Sequence, residues 1–168
     1  MKCLCFSDSH GFLTYFKKAL ELHPDAEAVF FLGDGLSDAE ALAIQYREKA
    51  WLIVRGNCDY SSMCLGAPAE KTESINLMGK KIVYTHGDLY GVKYGEQGLL
   101  QLAKTMNADI VLFGHTHTPF EKYIPTEEGG VYLFNPGSIE APAYDRGGSY
   151  GVINLTEGGV SFSHGSFV

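Results

Sequence analysis

The sequence predicts an α/β fold, a four-layer αββα sandwich in which two mixed β-sheets pack together with helices outside. Short apolar runs alternate with stretches of helical character through the first part of the chain, as βα units do. After Ala69 the pattern changes to hairpins, in which apolar runs are split by Gly-containing turns. Length is the third observation: 168 residues, 45 % hydrophobic, suffice to bury about two-thirds of the unfolded surface in one domain. We therefore read residues 1–168 as a single domain; no linker, low-complexity tract or repeat interrupts them.

The apolar runs "CLCF" (3–6), "AVFFL" (28–32), "WLIV" (51–54) and "IVLF" (110–113) suit strands covered on both faces. Helices are expected over Phe12–His23, Ser37–Lys49 and Gly95–Asn107, the second opened by a capping box of Ser37 and Glu40. Right-handed crossovers make the first sheet mostly parallel. Three hairpins follow: "SINLMGKKIVYTHG" turning at Gly79 and Lys80, "EKYIPTEEGGVYLFN" near Gly129 and Gly130, and "SYGVINLTEGGVSFSHGSF" at Gly158 and Gly159.

Charge and cysteine usage narrow the function. A formal net charge of -7 disfavours stable binding to nucleic acid or anionic lipid, so a polyanionic substrate would need a local attractor. The opening "MKCLCFSDSH" lacks an apolar signal region, and Cys3, Cys5, Cys58 and Cys64 read as reduced thiols of a cytoplasmic protein. The longest apolar runs are strand-sized, far short of the ~20 residues of a membrane span. The Phe and Tyr content permits a homo-oligomer without locating an interface.

Chemistry-bearing residues concentrate where these strands end. "CLCF" leads to Asp8 and His10, "AVFFL" to Gly33 and Asp34, and "WLIV" to Arg55, Gly56 and Asn57; "IVYT" leads to His86, and "IVLF" to His115 and His117. Ligands of open α/β sheets bind at the C-terminal ends of strands. Asp8 with His10, and His115 with His117, are i, i+2 pairs whose side chains point the same way in extended backbone. Singly, each has a plain structural reading: Asp8 or Asp34 as a cap, Gly33 and Gly56 as tight turns. His23 and His164, outside any motif, read as ordinary surface or core residues. Jointly, four of the six histidines, two carboxylates and a carboxamide at successive strand ends indicate a metal or catalytic site.

The series Asp8-x-His10, Gly33-Asp34, Gly56-Asn57-Cys58-Asp59, His86-Gly87 and Gly114-His115-Thr116-His117, with "NPGS" at 135–138, resembles the signature of the calcineurin-like metallophosphoesterases. It is most similar to the small, cap-less YfcE-type phosphodiesterases, which share "GNCD". The resemblance implies the αββα sandwich and two divalent ions, one held by Asp8, His10 and His117, the other by Asn57, His86 and His115, with Asp34 bridging. Mn is the first expectation for the ions, with Fe, Zn, Co or Ni as others. A metal-bridging hydroxide would then attack phosphorus in line. Lowering the pKa of water from 15.7 to about 7 amounts to about 12 kcal/mol.

The implied reaction is hydrolysis of a small or nucleotide-like phosphodiester, with Asn57, His86, Cys58 and Asp59 as the catalytic set. Alternatives are a phosphomonoesterase on the same site and a non-catalytic scaffold, the role of the retromer subunit of this fold. The more widespread members of the family carry histidine at the position of Cys58 ("GNHD" or "GNHE"), where general acid catalysis is worth about 3 to 5.5 kcal/mol. Cys58 is read either as a proton donor or as a small buried filler. Asp59 either orients a histidine or caps the following turn, and Arg55 either neutralises phosphate or is a solvated strand-end residue. Asp88 replaces the histidine of the family's "HGH". Tyr144 and Arg146, in "SIEAPAYDRGGSY" (138–150), could shape substrate access.

Overall fold

The structure, a computed structural model, describes residues 1–126, 129–140 and 147–167. Tyr144 and Arg146 lie outside the described residues.

The chain forms β1 (Lys2–Phe6), α1 (Leu13–Leu22), β2 (Ala28–Phe31), α2 (Leu36–Gln45) and β3 (Ala50–Ile53), then a small hairpin of β4 (Met63–Cys64) and β5 (Ala67–Pro68). It continues through β6 (Thr72–Leu77), β7 (Lys80–Thr85), a 3₁₀ turn (Asp88–Tyr90), α3 (Gln97–Met106) and β8 (Ile110–Leu112). The last strands are β9 (Pro119–Ile124), β10 (Val131–Pro136), β11 (Ser149–Thr156) and β12 (Gly159–Ser166). One five-stranded sheet runs β12-β11-β1-β2-β3 and the other β6-β7-β8-β10-β9. Strands β1, β2 and β3 are parallel, as are β7, β8 and β10.

Three apolar layers hold these elements in the expected αββα order. Leu4, Phe6, Val29 and Phe31 face Phe16, Leu20, Ala39 and Leu42 of α1 and α2. Cys3, Cys5, Phe30, Ile82, Leu112, Phe134 and Ile153 fill the space between the sheets, so Cys3 and Cys5 are core residues. Val83, Val111 and Leu133 pack against Leu99, Leu102 and Ala103 of α3. Alternation along each strand thus feeds two layers, and each fully buried aliphatic or Phe side chain contributes about 1.5–3 kcal/mol.

Register sets up the site. Phe6 pairs with Phe31 and Phe31 with Ile53, while Tyr84 pairs with Leu112, so the parallel strands of each sheet end level with one another. The loops that follow meet at one rim of the sandwich.

Several local expectations are corrected. Strand β3 is a sheet edge and only half-covered, because nothing pairs with its outer side. Helix α2 starts after Gly35, whose position offers no side-chain cap of its own, and stops at Gln45. Glu40 instead accepts the N–H of Leu65 at 2.7 Å, and Lys49 leaves the helical path to bond the carbonyl of Ala26 at 2.8 Å. Two hairpins turn one residue early. Leu77 pairs with Lys80 and Thr156 with Gly159, so the turns are Met78–Gly79 and Glu157–Gly158. Positive φ at both Met78 and Gly79 matches the strand twist, as two-residue hairpins require.

Candidate metal centre

All seven sequence-predicted ligands meet at that rim, delivered by β1, β2, β3, β7 and β8. The loops that carry them are not extended. Asp8, His10, Asp34, His115 and His117 have φ of 57, 43, 59, 67 and 58°, in the left-handed region. Asp and His tolerate it better than most residues, and such conformations gather at functional sites. The i, i+2 pairs therefore converge through tight turns and not through strand alternation.

Backbone bonds lock the turns together: Asp8 N–H donates to Gly33 O at 2.9 Å, His10 N–H to Asp34 O at 3.1 Å, and Gly114 N–H to His86 O at 2.9 Å. Gly33 has φ +100°, and a Cβ there would lie 2.4 Å from the nitrogen of Gly56. Both glycines are required so that the Asp34 and Asn57 loops can touch.

The carboxylates lie at the bottom. Asp8 and His86 are fully buried and Asp34 nearly so, while His10, Asn57 and His117 open to solvent. Oδ2 of Asp8 accepts the hydroxyl of Ser7 and the N–H of His115. Its Oδ1 is buried without a hydrogen-bond partner, 3.0 Å from Nε2 of His117 and 3.9 Å from Nε2 of His10. A buried, unsatisfied carboxylate oxygen facing two imidazoles fits a cation between them.

The second group makes the same case. His86 Nδ1 donates to Leu32 O at 2.8 Å, which turns Nε2 inward, where it can bind a proton or a cation. Nε2 then stands 3.0 Å from Asn57 Oδ1, 3.1 Å from His115 Nδ1 and 3.4 Å from Asp34 Oδ2. Four atoms able to coordinate a cation share this space. Asp34 groups both with His86 and His115 and with His10 and Cys58, which puts its carboxylate between the two halves.

Protons are the natural stand-ins for a cation here. Burial alone would raise the Asp34 carboxyl, but His86 and the N–H of Cys58 hold it well below the usual carboxylate range. Asp8 raises His117, whereas burial and the neighbouring His86 lower His115.

Asp59 is not bonded to a histidine. Its Oδ1 accepts the N–H groups of Gly35 and Leu36 and its Oδ2 those of Asp34 and Gly56, all at 2.7–2.9 Å. It is thus a positioning residue that also caps α2. Cys58 is exposed, which overturns the buried-filler reading; it accepts from Asn57 Nδ2 at 3.2 Å. Asp88 pairs with Lys71 at 2.8 Å, and Arg55 is half-buried and not freely solvated. His23 bonds the Tyr150 hydroxyl, and His164 bonds the Asn135 carbonyl.

Sequence reading missed the braces. Asp38 accepts Ser9 Oγ at 2.6 Å and Gly11 N–H at 2.8 Å. Asn135 donates to Gly114 O and Thr116 Oγ1, and Ser138 Oγ donates to Asp8 O at 2.8 Å. The "NPGS" segment thereby fastens both ligand loops, a role that only its quotation as a motif hinted at.

A sequence profile of the calcineurin-like phosphoesterase superfamily domain matches residues 1–158. The chain belongs to that family. Within it, the probable metallophosphoesterase YsnB of Bacillus subtilis is 29 % identical over 157 residues, spanning 92 % of this chain and 85 % of its own. Phosphodiesterase YfcE of Escherichia coli is likewise 29 % identical, over 92 % of this chain and 88 % of its own. Among solved structures, Entamoeba histolytica Vps29 complexed with zinc superposes with a TM-score of 0.73 at 22 % identity, covering 99 % of both chains. At that identity it attests to the fold alone. This member of the calcineurin-like phosphoesterase superfamily thus carries clustered candidate metal-binding residues, and no helix among the described residues is long and apolar enough to cross a membrane.

Proposed function

We propose that this chain is a phosphodiesterase working with two divalent metal ions on a small or nucleotide-like diester. The observation that carries the reading is the crowding of lone-pair atoms around His86 Nε2, joined through Asp34 to the orphaned Oδ1 of Asp8. Asp8, His10 and His117 would hold one ion, Asn57, His86 and His115 the other, with Asp34 shared. When bound, such a pair supplies Lewis acidity toward phosphate oxygens and a water acidic enough to attack phosphorus near neutral pH. A nitrogen and oxygen donor set favours Mn, Fe, Zn, Co or Ni over Mg, and Mn is our first choice.

The protein's own part is placement. Leu32 O fixes the ring of His86, Ser7 and His115 fix the rotamer of Asp8, and Asp59 fixes the Asp34 and Asn57 loops. A cleft of about 300 Å³ beside His10, Asp34 and Cys58 admits substrate. A diester carries one negative charge fewer than a monoester, which suits an acidic chain. No imidazole follows Asn57, so substrates whose leaving group departs unaided are favoured.

The test is hydrolysis of a chromogenic diester and monoester by metal-stripped protein refilled with Mn, Zn, Co or Mg, beside His117→Ala. Diester turnover that returns with Mn or Co and fails in the variant is expected. Monoester preference would move the assignment to phosphomonoesterase, and ions bound without turnover on either ester would point to a protein-binding scaffold.

A further inference from the structure

One wall of the cleft beside the site is an aromatic ring that the fold itself does not use. The cleft is lined by His10, Asp34, Leu36, Ser37 and Tyr60, and Tyr60 is as exposed as in an extended chain, so its ring packs against nothing. We propose that Tyr60 determines specificity: its ring stacks on a nucleobase of the substrate, which makes the substrate class a nucleoside phosphodiester. The inference rests on the two-metal reading and deepens it.

Reach, placement, size and polarity all bear on this. His10 and Asp34 line the same cleft, so a base on Tyr60 and a phosphate at the ions lie within the span of one nucleotide. Tyr60 directly follows Asp59, which four backbone N–H groups pin between the Asp34 loop and the start of α2. Its ring is therefore presented from a fixed backbone, and only two side-chain torsions have to settle when a base packs on it. A volume of about 300 Å³ stands at the small end of ligand pockets, enough for one nucleoside and not for a run of them. Leu36 adds buried apolar surface to the lining. Because Asp59 caps α2, the exposed Ser37 keeps its hydroxyl free of hydrogen bonds to the described residues, and that hydroxyl can donate to or accept from the edge of a base.

Stacking also suits the charge of the chain. With a net charge of -7 it offers nucleotides no general attraction, and a ring grips a base without cationic groups. Every base has a π-face, so Tyr60 selects for a base without choosing among bases.

Calorimetric titration of manganese-loaded protein tests this without turnover, using the non-hydrolysable methylenephosphonate analogues of adenosine 5′-phosphate and of ribose 5-phosphate. The adenosine analogue should bind about fivefold tighter or more. That advantage should drop below about twofold in Tyr60→Ala, which removes no packing, and persist in Tyr60→Phe, whose ring stacks as well. It should also persist in Tyr94→Ala, which removes an almost equally exposed ring from outside the cleft lining. Equal affinities in the parent, or an advantage undiminished in Tyr60→Ala, overturn the role of Tyr60 and leave the two-metal reading standing. Ribose-analogue binding that survives removal of the metal overturns the two-metal reading, while the ratio of the two analogues still judges Tyr60. Binding of neither analogue at proven metal occupancy overturns both.

Discussion

Asp59 accepts four backbone N–H groups at once, from Asp34, Gly35, Leu36 and Gly56, and so sets the distance between two ligand loops without touching an ion's position. Asp59→Ala should cost about 3 kcal/mol or more, since hydrogen bonds to a charged group contribute about 1.5–3 kcal/mol each and several are lost together. Metal content should fall with it. Asp59→Asn should not rescue, because its NH₂ would face two donors. Thermal denaturation and elemental analysis of the purified variants decide the matter; an asparagine variant as stable and as metal-rich as the parent would refute it. The residues that gather at the rim were legible in the sequence because each has metal-binding chemistry and sits just after a strand. The braces were not: Ser138 reaches Asp8 across 130 residues, and no spacing rule connects such partners.

His23 ends α1 and ties it to β11, with Nε2 2.9 Å from the hydroxyl of Tyr150. Burial and the charge of Lys2 lower its pKa from the ordinary 6.5, so the unfolded chain takes up a proton that the folded helix end resists. The stability linked to keeping the half-buried His23 neutral is full above pH 6.5 and is lost as pH falls from there through the folded-state value. His23→Gln should flatten the acid limb of a denaturant-midpoint-versus-pH plot, and an unchanged slope would exclude the titration of His23 as its source. The layers and most elements were legible from apolar periodicity. Element ends were not, because distant groups compete for them. The capping box failed when Asp59, 24 residues beyond Gly35, supplied the acceptor that Ser37 was expected to give.

The candidate ligands divide between the two sheets. Asp8, His10, Asp34 and Asn57 follow strands of one, and His86, His115 and His117 follow strands of the other. Bound ions would therefore staple the sandwich. At metal concentrations of 100 times Kd each filled site should stabilise the folded state by about 2.7 kcal/mol, or roughly 5–10 °C in Tm, and a chelator should reverse it. Equal melting temperatures with and without metal, at proven occupancy, would contradict that. The same division has a bearing on biosynthesis. His115 follows Asp8 by 107 residues, so a chain leaving the ribosome cannot present its full ligand set until its second sheet has been made. On the two-metal reading, metal loading would be a late event, and an ion captured early would sit on an incomplete site from which it could still exchange.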